Sequence, residues 1–302
     1  MPQLIISARE ASISAGLSVK RILPFRQKRM VGPFIFMDHA GPINTNAIIP
    51  EMDVLPHPHI GLSTLTYLLD GSVTHRDSLG IEQLIRPGEV NWMTAGKGIS
   101  HSERFEDLQL LKDGQLEMLQ TWVALPEEAE EIDPSFFNYK TEQLPVLTDK
   151  GVWMRLIAGE AFNEKSDVHI HSPLFYLHAK LEPKASIHLP KQYSEKALYI
   201  VKGSIEFQGH IYTSGQLLLF SKHQEPVFTA KETSSLMLLG GEPLGERFIW
   251  WNFVSSRAER IEKAKNDWRN GKIILPPNDN KTFVPLPDND YRTASSKGSK
   301  PD

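Results

Sequence analysis

Residues 65–73 read Leu-Thr-Tyr-Leu-Leu-Asp-Gly-Ser-Val, and residues 197–205 read Ala-Leu-Tyr-Ile-Val-Lys-Gly-Ser-Ile. Each stretch is an apolar, strand-forming run that ends in a tight glycine turn, and the Asp-Gly pair of the first is a strong hairpin signal. A further glycine turn follows each stretch, at Gly88 and at Gly215. Strand, glycine turn, strand, glycine turn and strand is the order that an antiparallel barrel requires, so its recurrence predicts two small barrels in tandem.

An acidic, polar segment separates the two repeats. Residues 127–131 read Glu-Glu-Ala-Glu-Glu and interrupt the strand-like pattern, which resumes only near residue 153. A change of composition of this kind is typical of a domain boundary. We therefore predict an all-β protein with a first barrel at 1–130, a linker at 131–145 and a second barrel at 146–287.

The C-terminal part of the chain has a different pattern. Residues 257–269 place apolar side chains at helical spacing, and Gly271 follows as a helix stop. We expect a short C-terminal helix there, as part of the second barrel domain. Residues 288–302 are polar and rich in Ser, Lys and Gly, so we expect a disordered tail.

The composition excludes several classes of function. The chain of 302 residues has a net charge of −4 and no Lys/Arg cluster that would attract nucleic acid. It contains no cysteine, which excludes disulfides and thiolate metal sites. No apolar run reaches the length of about 18 residues that spans a membrane, and the apolar residues 4–6 are too few for a signal peptide. We expect a cytoplasmic protein that is monomeric, because two tandem barrels already cover each other.

Two short motifs carry the candidate chemistry, His-Pro-His at 57–59 and His-Ser-Glu at 101–103. Each places two polar side chains at positions i and i+2, which share one face of a strand. Pro58 favours an extended segment at the edge of a sheet. If the two strands are neighbours, three imidazoles and one carboxylate converge inside the first barrel, a set that suits Fe, Mn, Co, Ni, Cu or Zn better than Ca or Mg. The predicted ligands of this mononuclear site are His57, His59, His101 and Glu103.

A histidine pair at this spacing is common in strands and is by itself more often structural than metal-binding. His169 and His171 have the same spacing, but no His-x-Glu motif follows them, so we interpret that pair as structural. His75 and Asp77 also share one face of a strand. Their side chains could enter the pocket or lie on the outside of the barrel, and we favour the outside.

The residues around the two motifs resemble the cupin superfamily and, within it, the pirin family. In the first cupin motif, His-x-His with a glutamate further on, Thr64 stands in the glutamate position. Glu103 supplies a carboxylate from the second motif instead, two residues after His101. This change in the position of the carboxylate resembles the pattern of pirins. The segments at 32–39, 57–61 and 92–103 also look like pirin signatures.

The resemblance extends from residue 15 to residue 290, and it implies two cupin barrels, a bicupin fold. It also implies one Fe(II) ion per chain at the four predicted ligands, with Zn, Mn, Ni or Cu as alternative metals, and Gln120 in the pocket as a substrate-binding residue. Counted back from Gly203, the ligand positions of the second barrel hold leucine and lysine, so that barrel is expected to bind no metal. These positions are Leu189, Lys191 and Lys196.

Some bacterial pirins resemble enzymes that cleave flavonols such as quercetin at the 2,3 position. The expected function is therefore an oxidoreductase of the quercetin 2,3-dioxygenase type that acts on a small aromatic substrate, with Glu103 as its general base. The alternative, also implied by the resemblance, is a non-enzymatic, metal-dependent redox sensor that binds a transcription factor or a metabolic enzyme. A third hypothesis is a zinc or manganese site with isomerase or hydrolase activity.

Overall fold

The chain folds into two similar halves, each made of two β-sheets that pack face to face. The computed structural model describes residues 1–106, 114–287 and 294–295. Within that part strands dominate, and one α-helix, α1, spans Ala258–Arg269. None of the helices described there is both long enough and apolar enough to cross a membrane.

The strands up to the junction are β1 (Leu4–Ser7), β2 (Arg9–Ser14), β3 (Leu17–Leu23), β4 (Phe34–Asn44), β5 (Val54–His59), β6 (Leu62–Asp70), β7 (Val73–Asp77), β8 (Glu82–Ile85), β9 (Val90–Thr94), β10 (Ile99–Arg104), β11 (Gln115–Ala124) and β12 (Ser135–Tyr139). Short 3-10 helices occupy Thr45–Ala47, Pro50–Met52, Glu127–Ala129 and Thr141–Gln143.

The strands after the junction are β13 (Val146–Asp149), β14 (Val152–Ala161), β15 (Glu164–Lys165), β16 (Leu174–Leu181), β17 (Ser186–His188), β18 (Glu195–Lys202), β19 (Ser204–Phe207), β20 (His210–Thr213), β21 (Gln216–Ser221), β22 (Val227–Ala230), β23 (Ser234–Gly241), β24 (Phe248–Trp250), β25 (Phe253–Ser255) and β26 (Ala294–Ser295).

The first half consists of a seven-stranded and a four-stranded antiparallel sheet, with strand orders β12-β9-β6-β11-β4-β3-β2 and β5-β10-β7-β8. Apolar side chains of both sheets meet in one buried cluster, in which Leu17 and Leu68 of the large sheet join Val54, Val73 and Ile85 of the small one. Within the described residues no ladder of hydrogen bonds closes the two sheets into a ring. Each half is therefore a pair of facing sheets with the cupin arrangement, and not the continuous barrel that the repeat predicts.

The second half repeats this plan with an eight-stranded and a four-stranded sheet, in the orders β1-β21-β18-β23-β16-β14-β13, with β15 beside β14, and β17-β22-β19-β20. Its interior is filled with apolar side chains, among them the contacting rings of Phe207, Phe220 and Phe228. The described side chains between these two sheets are therefore mainly apolar.

Two of the three predicted ligand positions of the second half hold buried structural side chains, whereas Lys191 is exposed and pairs with Glu225. Leu189 belongs to the apolar interior and is 1% exposed. Lys196 is buried, and its Nζ donates hydrogen bonds to the backbone carbonyls of Lys222 and Gln224, at 3.3 and 2.9 Å. Because a buried ammonium group needs acceptors, these two carbonyls account for the lysine in the core.

The two large sheets pack against each other through their outer faces and join the halves into one body. Leu65 and Leu119 of the first half belong to the same buried cluster as Ala197 and Leu239 of the second. Buried hydrogen bonds cross this interface between Tyr67 Oη and His178 Nδ1, His39 Nδ1 and Tyr199 Oη, and Thr121 Oγ1 and Tyr176 Oη. The interface therefore combines apolar packing with polar pairs that fix how the sheets align.

Both ends of the chain contribute to the opposite half. β1 pairs with β21 at the edge of the second large sheet, with Ile6 opposite Leu217. Near the other end, Phe253 of β25 forms a parallel bridge with Ile60, next to the strand that carries the first histidine motif. The predicted linker, 131–145, also contains a strand, because β12 pairs with β9 and extends the first large sheet.

The predicted all-β, tandem cupin architecture with a short C-terminal helix is confirmed. The helix begins at Ala258 and ends at Arg269, within one residue of the predicted range. The tail predicted to be disordered, 288–302, lies outside the described residues except for 294–295, which pair with β24. The limits of the two domains remain predictions, since the halves exchange strands.

The burial of side chains along β1 predicts how much each of them contributes to the free energy of unfolding. Ile6→Ala should lower the free energy of unfolding by about 2–5 kcal/mol, because Ile6 is fully buried in the cluster between the sheets. Ile5→Ala is the matched control, since Ile5 is 40% exposed on the same strand, and it should change stability by less than about 0.5 kcal/mol. Urea unfolding followed by tryptophan fluorescence measures both. Equal losses for the two variants would contradict this placement of β1.

Candidate metal centre

The two predicted motifs lie on neighbouring antiparallel strands. β5 and β10 pair with His57 opposite His101, and the register shifts by one residue before Glu103, where β5 forms a bulge. His57 and His59 point to the same face, as do His101 and Glu103. β5 is the outer strand of its sheet, and an outer strand tolerates Pro58, which lacks an N–H to donate.

Imidazoles from both strands meet inside the first half. His57, His59 and His101 each offer a ring nitrogen, and these atoms lie within 4.8 Å of one another. Nδ1 of His57 lies 2.9 Å from the carbonyl oxygen of Leu55, and Nδ1 of His59 lies 3.2 Å from that of Asn252. Because a carbonyl oxygen can only accept, each Nδ1 donates, and the lone pair of each of these two rings is on Nε2.

Two of the inward-facing nitrogens lack hydrogen-bond partners among the described residues. The Nε2 atoms of His59 and His101 are buried, and neither has a partner among the described residues. A buried polar atom without a partner is costly, and in a native site it needs an explanation. Neutral imidazole nitrogens are preferred ligands of zinc, copper, nickel and iron, so a divalent transition metal fits this group of donors.

Burial keeps the three imidazoles neutral. It lowers the pKa of His57 to about 4. Burial also lowers the pKa values of His59 and His101 well below their ordinary value, and the neighbouring imidazoles lower both further. Each ring therefore offers a lone pair at neutral pH, which is the state that metal binding requires.

Glu103 lines the same cavity as His57 and is itself buried. Burial raises the pKa of Glu103 to about 7. Gln120 Nε2 donates a hydrogen bond to Glu103 Oε1 at 3.2 Å, and Thr66 Oγ1 donates to Gln120 Oε1 at 2.7 Å. The threonine bond fixes the orientation of the amide, so that its NH2 group faces the carboxylate.

A cavity of about 250 Å³ lies in front of His57 and Glu103. One wall is formed by the stacked rings of Phe36 and Trp122, whose centroids are 4.0 Å apart. Arg21 also lines the cavity, with its guanidinium 4.7 Å from the ring of Phe36. An apolar, aromatic wall with a few polar groups at one end is typical of a site for a small organic ligand.

Trp251 and Asn252 complete this cavity from the turn between β24 and β25. Trp251 adopts a φ of 53°, in the left-handed region that bulky residues avoid. Strain of this kind costs on the order of 1–3 kcal/mol and often occurs at functional sites. Sequence reasoning missed both residues, because no spacing relates this turn to the histidine motifs.

A segment near the C-terminus covers the outer side of the ligand strands. We call residues 272–284 the C-terminal strap. Ser100 Oγ donates to a backbone carbonyl of the strap at 2.6 Å, and Ser102 Oγ donates to Asp279 at 2.6 Å. Arg104 makes a bidentate pair with the same carboxylate. Outward-facing residues of β10 therefore bind the strap, while the alternate residues face the cavity.

The other two pairs at i, i+2 spacing have different surroundings. The rings of His169 and His171 lie 4.8 Å apart, and within the described residues no third potential ligand joins them. His75 and Asp77 are buried directly behind His101, where Nδ1 of His75 lies 3.3 Å from Nδ1 of His101. The outside position that we favoured for them is wrong, because β7 pairs with β10 and turns this face inward.

The raised pKa of Glu103 predicts a pH-dependent effect of Glu103→Gln on the metal-free protein. The pKa of about 7 in the folded state lies above the ordinary value of 4.5, so stability is lost as the pH rises between these values. At pH 8 the variant should therefore be more stable than the wild type by about 1–3 kcal/mol, and the difference should shrink toward pH 5. Thermal unfolding after treatment with a chelator measures this. If Glu103→Gln were less stable than the wild type at pH 8, burial would not be what raises the pKa of Glu103.

Comparison with known proteins identifies the family. The Pirin family model matches residues 16–123, and the model of the pirin C-terminal cupin domain matches residues 176–274. A pirin-like protein of Caulobacter vibrioides is 51% identical over 290 residues, which cover 95% of this chain and 100% of that protein. Pirin of Rattus norvegicus is 30% identical over 283 residues, covering 89% of this chain and 92% of that protein.

A solved structure shares the arrangement of both halves. The crystal structure of a quercetin 2,3-dioxygenase from Acinetobacter baumannii matches with a TM-score of 0.86 and 33% sequence identity, over 96% of this chain and 97% of that chain. Sequence and structure therefore agree along nearly the whole length of the protein. The chain belongs to the pirin family, with two cupin domains in tandem.

Proposed function

We propose that the protein is an iron-dependent dioxygenase that cleaves flavonols, of the quercetin 2,3-dioxygenase type. The ligands of one Fe(II) ion would be His57, His59, His101 and Glu103. The observation that carries the proposal is the buried imidazole cluster beside a carboxyl group, in which Nε2 of His59 and Nε2 of His101 lack partners among the described residues. The likeness to the dioxygenase from Acinetobacter baumannii supports the choice of substrate class.

Glu103 is the residue of this chain that would take the proton of the substrate hydroxyl. Bound iron would supply Lewis acidity toward that hydroxyl and a path for electrons from the flavonol to dioxygen. A general base works best when its pKa lies near the working pH, and burial raises the pKa of Glu103 to about 7. Gln120 donates to Oε1 of Glu103 and would hold this carboxyl group in position.

The walls of the cavity favour a flat aromatic ligand. The rings of Phe36, Trp122 and Trp251 line the cavity and offer apolar, aromatic contacts. The polar groups Glu103 and Gln120 lie together in the same lining. A ligand whose rings contact the aromatic wall would therefore place a hydroxyl group beside the general base.

Metal content tests the ligand assignment. Wild-type protein, purified without an affinity tag and reconstituted with Fe(II) under anaerobic conditions, should contain about one equivalent of iron by elemental analysis. His101→Ala should lose it, because one of three imidazoles is removed. His171→Ala is the matched control and should keep it, since His171 lies in the separate histidine pair. Wild-type protein that binds no metal after reconstitution would contradict the proposal, whereas zinc, nickel, manganese or copper would keep the site and change its chemistry.

Oxygen consumption tests the reaction. With quercetin in an oxygen electrode, the iron-loaded wild type should consume oxygen, and Glu103→Gln should be slower by about 10²–10⁴-fold at equal iron content, because it lacks the general base. Iron-loaded protein that consumes no oxygen with quercetin or related flavonols overturns the substrate assignment. The metal-dependent redox sensor would then be the better hypothesis, and binding of a protein partner would be measured in both oxidation states.

A further inference from the structure

The three imidazoles of the metal centre are supported from behind in two different ways. Nδ1 of His57 and Nδ1 of His59 each face a backbone carbonyl, at 2.9 and 3.2 Å. Nδ1 of His101 faces another side chain, because Nδ1 of His75 lies 3.3 Å away. His101 therefore differs from the other two in the group that sets its tautomer.

Asp77 determines which nitrogen of His75 carries the proton. Its Oδ2 lies 3.0 Å from Nε2 of His75, and its Oδ1 accepts hydrogen bonds from the backbone N–H groups of Leu79 and Ile81, at 2.9 and 3.1 Å. A carboxylate only accepts hydrogen bonds, so Nε2 of His75 is the donor. Phe136 stacks on the ring of His75 at a centroid distance of 4.4 Å and holds its orientation.

The tautomer of His75 fixes that of His101 in turn. With Nε2 of His75 donating to Asp77, the lone pair of that ring lies on Nδ1, where it accepts the N–H from Nδ1 of His101. The remaining lone pair of His101 is then on Nε2, the buried atom that lacks a partner. We propose that Asp77 and His75 are positioning residues that hold His101 in its metal-binding tautomer and make it the strongest donor of the three imidazoles.

This proposal rests on the proposed metal centre and adds a hierarchy among its ligands. An imidazole that donates to a second imidazole, itself bonded to a carboxylate, carries more electron density than one that donates to a neutral carbonyl. His101 should therefore contribute more to metal affinity than His57 or His59, whose Nδ1 atoms donate to backbone carbonyls. His75 and Asp77 are not among the residues that line the cavity, and both lie on β7, which pairs with the strand of His101.

Asp77→Asn is the most direct test, because the side chain keeps its shape. The two backbone N–H groups require an acceptor, so the amide oxygen stays with them and the NH2 group faces Nε2 of His75. His75 must then accept there and donate through Nδ1, which forces His101 to carry its proton on Nε2, toward the metal. Affinity for Zn(II), measured by competition with a chelator, should fall by about 10- to 100-fold.

Asp38→Asn is the matched control for the loss of charge. Asp38 is a buried carboxylate of the same half, and it binds the guanidinium of Arg21 at 2.9 and 2.8 Å, not a ligand imidazole. Its removal should weaken Zn(II) binding by no more than about threefold, through charge alone. A loss in Asp77→Asn that does not exceed the loss in Asp38→Asn overturns the proposal.

A second pair of variants keeps the proposal testable if Asp77→Asn fails to fold. In His75→Asn the amide oxygen takes the place of Nδ1 and accepts from His101, whereas His75→Leu offers no acceptor. Most of the affinity that His75→Leu loses should be retained in His75→Asn, and the visible bands of bound Co(II) should shift in His75→Leu only. Equal losses of affinity in both variants would overturn the proposed role of His75 as the hydrogen-bond acceptor of His101. Wild-type protein that binds neither Zn(II) nor Co(II) would instead contradict the proposed metal centre itself. The two failures differ, because the roles of His75 and Asp77 are tested only by differences between variants of a protein that binds metal.

Discussion

The register between β5 and β10 is the constraint on which the site depends. Side chains alternate between the faces of a strand, so a shift by one residue would turn the imidazoles from the cavity to the outer side. The outer side is itself committed, because Ser100 and Ser102 bind the C-terminal strap. A backbone hydrogen bond from Val284 to Pro56 ties the strap to β5 as well. The contacts of the strap therefore hold β5 and β10 from the outer side. Because side chains alternate between the two faces, these contacts also fix which side chains face the cavity.

The two halves use one architecture for opposite purposes. In the second half the space between the sheets is filled by apolar side chains, and the buried Lys196 is satisfied by two carbonyls. In the first half the equivalent space holds imidazoles and a carboxyl group that burial disfavours in their charged forms. Stability can come from the filled half and from the interface between the large sheets, so the first half can hold a site that is costly in the absence of metal.

The sequence predicts those features that depend on local spacing. The i, i+2 motifs place the imidazoles on one face, and the glycine turns at Gly71 and Gly203 mark equivalent hairpins, because these rules act within a few residues. Features that need a distant partner were missed: the approach of Trp251 to the cavity, the pairing of β1 with β21, and the contact of His75 with His101. The spacing predicts that His75 and Asp77 share one face of a strand. It does not predict whether that face turns inward, because this depends on how the sheets pack.

The exchange of chain ends has a consequence for the order in which the protein is made. The strap that holds the ligand strands from outside is synthesised after strands β1 to β25, and β1 must wait for β21, which lies in the second half. A nascent chain with all four proposed ligands already outside the ribosome therefore still lacks the contacts that lock them. The arrangement of these strands is complete only when β21 and the strap have both been made.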